Sequence, residues 1–370
     1  MHTERPKNLL LLSVGYGQGH HAAATALAEQ FSAQGWSCRV EDVCELFQPV
    51  LFRLTQRFYS FCVRRAPWLW GVTYSLTDTA NWARMVRRPL FKPLVSDLGG
   101  LLQEIKPDLV ICTYPLFAYM LDALREQGVR VPPYAVVVTD AREISRPWMQ
   151  SESPLVLVPD AGSRRMVTER YALSPAAVSA SGFPVRRAFA PSPDRVPPTG
   201  QELRIVYGAY RQTEGVINDI AAMLGAFPGL RLTVLAGHRM RLLRKYFAAD
   251  CRNGRLCVLD KTSEMERLLP ENHFYIGKAG AATMFECYAS LVPVLVNFTL
   301  PGQEQGNLEL LLEDGAGYHV ESTAHLVATL QGLVQNHAAG WKLLCQAMQS
   351  SGRSGGAACV QKVICERFGL

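Results

Sequence analysis

The chain has 370 residues, of which 48% are hydrophobic and 19% charged, and a formal net charge of +6. Those proportions exclude a disordered chain, a collagen-like repeat and a small disulfide scaffold. The longest apolar runs, such as 9–12 and 291–296, fall far short of the roughly 20 residues that span a bilayer, and no basic and apolar leader with a small-residue cleavage site is present, so the reading is of a cytoplasmic protein.

At this length two α/β domains are expected rather than one core. The first apolar run, Asn8 to Val14, reads as a buried strand. Gly15, Gly17 and Gly19 then alternate and lead through His20 and His21 into a helix over 22–33. Glycines let backbone amides approach a ligand, and a helix N-terminus favours negative charge. The loop matches neither the dinucleotide fingerprint nor a Walker motif, yet it suits a phosphate or a reacting hydroxyl. His20 at its tip is the candidate general base, since imidazole can accept a hydroxyl proton at neutral pH.

Next comes an aromatic stretch, Phe47 to Tyr74, interleaved with arginines. Phe58, Arg64, Arg65, Trp68, Trp70, Arg87 and Arg88 make the kind of surface that an anionic lipid face attracts. The competing reading is a set of core aromatics with a solvated arginine face. No nucleic-acid recognition motif accompanies the arginines, so nucleic acid is not the expected partner.

A helix over 94–105 and strands over 109–113, 134–139 and 155–158 complete the alternation that implies a parallel sheet covered by helices. Asp140, closing the second of these strands, is a second candidate base. Prolines and small polar residues over 191–201 mark a linker. The division expected is 1–190, a linker at 191–201, a donor domain at 202–345 and a terminal helical segment, 346–370, packing back toward the first domain.

After the linker the pattern repeats, with strands over 203–207, 232–236, 256–259, 274–276 and 294–297. In such sheets ligands bind beyond the carboxyl ends of the strands. Phe274 to Glu286 reads as a strand, a small-residue turn and a helix. Amides around Gly280, with Lys278 and Thr283, make a cradle for a diphosphate, and Glu286 is placed to take the two hydroxyls of a ribose. The following strand ends in a loop carrying Gln303, Glu304 and Asn307, groups suited to sugar hydroxyls. The ten cysteines include no Cys-x-x-Cys and read as free thiols.

The run Lys-x-Gly-x-x-Thr-x-x-Glu, then Pro-Gly-Gln-Glu-x-x-Asn, then Leu311 to Gly317, resembles the donor half of the monogalactosyldiacylglycerol synthase and processive diacylglycerol glucosyltransferase family, relatives of the peptidoglycan N-acetylglucosaminyltransferase. Gly-x-Gly-His at 17–20, Trp70-Gly71, 74–78, Val138 to Asp140 and Ser181 to Val185 carry the resemblance through the N-terminal half.

The resemblance implies a GT-B fold, two doubly wound Rossmann-like domains facing across a cleft. It also implies a UDP-sugar donor in the second domain, with Gly237 in the donor site, and a lipid acceptor such as diacylglycerol in the first. Transfer would invert the anomeric carbon without a bound metal or other cofactor, with His20 as the base, at the inner face of the cell membrane. Two departures stand out: bulky residues over 207–215 where relatives are glycine-rich, and no histidine between Asp140 and Trp148. A sugar-nucleotide epimerase and a non-catalytic UDP-sugar-binding protein are the alternatives. The residues do not distinguish glucose, galactose and N-acetylglucosamine.

Overall fold

The computed structural model describes residues 5–370 apart from 16, 17, 80, 154, 200 and 303; at 18, 51, 59, 63–65, 67, 70, 74, 77, 79, 82 and 83 only the backbone is described. Two compact units are present: one comprises Met1–Arg186, Pro301–Gly306 and Gly355–Leu370, the other Arg187–Leu300 and Asn307–Ser354.

The first unit holds a six-stranded parallel sheet of β1 (Asn8–Leu12), β2 (Ser37–Glu41), β3 (Leu109–Cys112), β4 (Tyr134–Val137), β5 (Val156–Val158) and β6 (Val178–Ala180), ordered β2-β1-β3-β4-β5-β6. Its helices are α1 (Gln18–Ser32), α2 (Val43–Phe47), α3 (Pro49–Arg65), α4 (Pro67–Thr79), α5 (Trp82–Val86), α6 (Lys92–Ile105), α7 (Pro115–Glu126) and α8 (Ala161–Tyr171). Alternate residues of the central strands enter opposite cores, as a period of two requires. Leu10, Leu12 and Val110 join α6 and α7 on one face, and Leu9, Leu11 and Ile111 meet Ala24, Leu27 and Phe31 of α1 on the other. The last helix, Gly356–Phe368, closes this second core with Ala357, Val360 and Ile364, and Gln30 donates a buried 2.7 Å hydrogen bond to Gln361.

In the second unit the strands are β7 (Leu203–Gly208), β8 (Leu230–Leu235), β9 (Leu256–Leu259), β10 (Phe274–Lys278), β11 (Val294–Phe298) and β12 (Gly317–His319), all parallel and ordered β12-β11-β10-β7-β8-β9. They alternate with α9 (Thr213–Ala226), α10 (Met240–Tyr246), α11 (Ala248–Arg252), α12 (Met265–Leu268), α13 (Ala281–Ser290), α14 (Gln305–Glu313) and α15 (Thr323–Ser350). Strand order reverses between β1 and β3 in one unit and between β7 and β10 in the other. Those reversals are where a doubly wound sheet opens a crevice at its carboxyl edge.

The proline-rich stretch belongs to the second unit. Arg195 donates to the carbonyls of Pro270, Asn272, Ser290 and Leu291, at 2.7 to 3.4 Å, and lies over the Trp341 ring. One guanidinium thus fixes a segment whose composition alone reads as a loose tether. Among the described residues no helix is long and apolar enough to cross a membrane, and all ten cysteines are free thiols.

Candidate active site

In the first unit, His20 sits in the opening turn of α1, directly beyond the reversal at β1. Its Nδ1 lies 2.9 Å from the carbonyl of Thr113, the residue following β3, and 2.7 Å from the Thr139 hydroxyl, beyond β4. A carbonyl only accepts, so the proton resides on Nδ1 and Nε2 is left unprotonated, able to accept a proton. Tyr114 stands edge-on to the imidazole at 5.1 Å, and Trp148 is 6.0 Å away. Burial pushes His20 down to about 4, with the Thr113 carbonyl acting in the opposite direction. The ring is therefore neutral at pH 7, while its neighbour His21 is exposed.

Asp140 is buried, and its Oδ2 accepts the Trp148 indole N–H at 3.1 Å. Sequence reasoning missed Thr113, Thr139, Tyr114 and Trp148 around the histidine; only the tryptophan eight residues after Asp140 gave a signal. The approach to His20 is set by Gly15, whose N–H donates to Asp42 at 2.9 Å and whose carbonyl accepts from Gln56 of α3 at 2.8 Å. Gly19 lies in the first turn of α1, and Gly17 is outside the described residues.

In the second unit, β10 ends with a register shift between Gly277 and Lys278, and Gly280 caps α13 in extended conformation. Along this otherwise buried ten-residue helix, the partly exposed positions are Thr283 and Glu286. Their i, i+3 spacing puts them on one face. The Lys278 ammonium lies 5.7 Å from the centre of the Tyr210 ring, so one bulky residue of the 207–215 loop stacks on a cation that a diphosphate would need.

The expected sugar contacts are dispersed. Asn307 is buried and donates to the Ala279 carbonyl at 3.0 Å, which fixes the turn before α13. Glu304 is buried in the 301–306 segment of the first unit, where Gly306 runs so close to 141–143 that a Cβ would come within 2.3 Å of the Glu143 nitrogen. Gln303 lies outside the described residues. Gly237 has a φ of +54° and spends its N–H on the Asp260 carbonyl at 2.9 Å, so that amide is committed within the protein.

Between the ends of β7 and β11 lies a cleft of about 370 Å³, lined by Arg211, Gln212, Glu214, Gly215, Asn218, Asn297 and Phe298. Its floor is a polar network centred on the fully buried Asp219, which accepts from Tyr207, Arg211, Asn297 and Thr323 at 2.6 to 3.3 Å. This explains two of the bulky residues over 207–215: Tyr207, near the end of β7, and Arg211, beyond it, are partners of a buried carboxylate, roles a glycine cannot fill.

On the aromatic stretch, Phe58 and Trp68 are exposed. Arg88 is exposed, whereas Arg87 is paired with Glu126. The side chains of Arg64, Arg65 and Trp70 lie outside those described.

The sequence profile of the monogalactosyldiacylglycerol (MGDG) synthase family matches residues 20–185, from the histidine to the end of the first unit's continuous stretch. Over that stretch the chain resembles these lipid glycosyltransferases, and it is a glycosyltransferase by class. It is 24% identical over 351 residues to the chloroplastic monogalactosyldiacylglycerol synthase of Spinacia oleracea, covering 88% of this chain and 66% of that protein. It is also 24% identical over 356 residues to the processive diacylglycerol beta-glucosyltransferase of Bacillus cereus, covering 90% and 87%. The chain thus spans about two thirds of the plant relative and most of the bacterial one.

Among solved structures, Acinetobacter baumannii MurG aligns over 98% of this chain and all of that one, with a TM-score of 0.60 at 15% identity. A putative UDP-N-acetylglucosamine 2-epimerase from Listeria monocytogenes aligns over 98% and 97%, with a TM-score of 0.63 at 11% identity. These likenesses bear out the GT-B fold, two mixed α/β units each built on a six-stranded parallel sheet.

His20 has a counterpart in the second unit, where His273 links β7 to the Arg195 segment. Its Nδ1 accepts from Arg204 N–H at 2.9 Å and its Nε2–H donates to Val196 at 3.0 Å. Burial, then the Arg204 charge, lowers it to about 4. An unfolded histidine titrates near 6.5, so between pH 6.5 and 4 the unfolded chain binds more protons. Stability is complete above that window and falls as pH drops through it. Urea midpoints measured at pH 7 and pH 5 should show a clear loss at pH 5; equal midpoints would contradict a neutral, buried pair of histidines.

Proposed function

We propose that the protein is an inverting glycosyltransferase that moves a hexose from a UDP-sugar to the hydroxyl of diacylglycerol or a similar lipid at the cytoplasmic membrane face. The observation that carries this reading is His20, held neutral with its Nδ1 on the Thr113 carbonyl and its Nε2 left as the base. As the acceptor oxygen attacks the anomeric carbon, the bond from that carbon to the UDP oxygen breaks, and the hydroxyl proton passes to Nε2. A base this weak takes the proton as the new bond forms, when the hydroxyl has become acidic.

The leaving UDP carries off the electron pair. Its diphosphate is stabilised by the N-terminal amides of α13 and by Lys278, in place of a resident metal, and Glu286 holds the ribose hydroxyls. Support comes from the Thr283 and Glu286 face of α13 and from the lipid glycosyltransferases among the relatives. Glu286→Gln should raise the donor KM roughly 10-fold or more with little change in kcat, because a charge-assisted hydrogen bond is worth about 1.5–3 kcal/mol. An unchanged KM would remove Glu286 from the donor site.

The direct test incubates purified protein with a panel of UDP-hexoses and diacylglycerol vesicles and reads the lipids by mass spectrometry. A hexosyl-diacylglycerol is expected. An epimerised UDP-sugar formed without any acceptor would overturn the transferase reading, and UDP binding without turnover would point to a binding protein.

A further inference from the structure

In the chain that follows β4, residues 140–149, one residue is held in a backbone conformation that its side chain disfavours. Arg142 has a φ of +60°, the left-handed region that residues other than glycine keep only where their surroundings impose it. A buried cluster at the start of α8 imposes it here. The Arg142 N–H donates to the Ser163 hydroxyl at 2.8 Å, and its Nε lies 3.4 Å from Oδ1 of Asp160. Asp160 caps α8, accepting the amides of Gly162 and Ser163 at 2.8 and 3.2 Å and the Ser163 hydroxyl at 2.6 Å, so the anchor is itself fixed. The guanidinium lies over Gly162, where any Cβ would overlap it.

The turn at Arg142 puts the Ala141 carbonyl and the Glu143 nitrogen on one side, and Gly306 packs against them. A Cβ on Gly306 would overlap both and would stand 3.0 Å from the Arg142 Cβ. Glu304, two residues earlier, is buried in the same unit. The loop is closed by the Trp148 indole, which donates to Asp140 at 3.1 Å and lies 6.0 Å from the His20 ring. One closed loop thus carries a wall of the His20 site and the seat of the 304–306 segment.

We propose that Arg142 is a positioning residue, whose left-handed backbone registers the 304–306 segment, with its sugar contact, against His20. The inference deepens the transferase reading and rests on it, with His20 as the base and Glu304 facing the sugar. In-line attack needs the acceptor hydroxyl and the anomeric carbon held together, and this loop touches the surroundings of both. Its conformation matters rather than its charge, because the guanidinium is spent on Asp160.

The test compares Arg142→Ala, Arg142→Gly and Gly306→Ala in the full chain. Alanine holds a positive φ only under strain, whereas glycine holds it freely. Arg142→Ala should turn over roughly 10- to 100-fold more slowly, with UDP affinity within about twofold. Its amide hydrogen exchange over 304–310 should quicken several-fold. Arg142→Gly should return both turnover and exchange to near the wild-type values. Gly306→Ala should match Arg142→Ala, and the two combined should be no slower than either alone.

Equal slowing in Arg142→Gly would assign the effect to the guanidinium and overturn the proposal. Unchanged exchange over 304–310 in Arg142→Ala, or fully additive losses in the double variant, would overturn it as well. If the exchange pattern holds while wild type forms no glycolipid, the transferase reading fails and the seating of the segment by Arg142 stands.

Discussion

Replacing His20 by alanine lowers turnover by about 100- to 10,000-fold and leaves UDP affinity within about twofold. The size follows from geometry. The imidazole is locked by two contacts at Nδ1, 2.9 Å to Thr113 and 2.7 Å to Thr139, so a single nitrogen is left to act. Asp140→Asn provides the contrast. Asparagine still offers an oxygen to the Trp148 indole, which Asp140 accepts at 3.1 Å, so most turnover should survive. Loss in Asp140→Asn equal to that in His20→Ala, measured by steady-state kinetics with donor binding in parallel, would transfer the base role to the carboxylate.

The second large effect is on stability. Asp219→Ala removes the shared acceptor of Tyr207, Arg211, Asn297 and Thr323. Removing one partner of a buried pair leaves the other charge uncompensated, at a cost of about 3–5 kcal/mol. Arg211 retains some solvent access, which places the expectation at the lower end, about 3 kcal/mol. In a unit of this size that lowers Tm by on the order of 10 °C. Calorimetry should find the loss, and Arg211→Met combined with Asp219→Ala should recover part of it. A Tm within about 2 °C of wild type would mean that water replaces the carboxylate.

The strands that sequence reading missed lie at sheet edges, whereas those it found are interior except β9, an edge strand whose buried Leu256 and Val258 still left an apolar signal. β1, β3, β4, β7, β10 and β11 are interior, buried on both faces, and announce themselves as apolar runs. β2, β6 and β12 are edge strands. Ser37–Glu41 reads Ser-Cys-Arg-Val-Glu and has no fully buried residue, so no hydrophobic run betrays it. The sequence likewise placed Thr283 and Glu286 in the first turns of a helix, and the structure shows them as its partly exposed positions, on one face by their i, i+3 spacing.

The contacts of Asn307 and Gly237 were not legible. Whether a polar group faces a ligand or a neighbouring carbonyl depends on which backbone runs past it, and Ala279 and Asp260 are distant in sequence or across a turn. The irregular loop after β7 was visible as an anomaly, but its cause, a buried carboxylate twelve residues beyond Tyr207, required the fold. The lipid face was half legible: composition marked aromatics and arginines, and the structure separates exposed Phe58 and Trp68 from Arg87, which Glu126 engages.

The reaction proposed for this protein is displacement at the anomeric carbon by a lipid hydroxyl that His20 deprotonates. The most direct measurement is the proton NMR spectrum of the glycolipid made from an α-linked UDP-hexose. A single direct displacement inverts that carbon, so the large anomeric coupling of a β-linked hexosyl lipid is predicted. An α-linked product would contradict direct displacement.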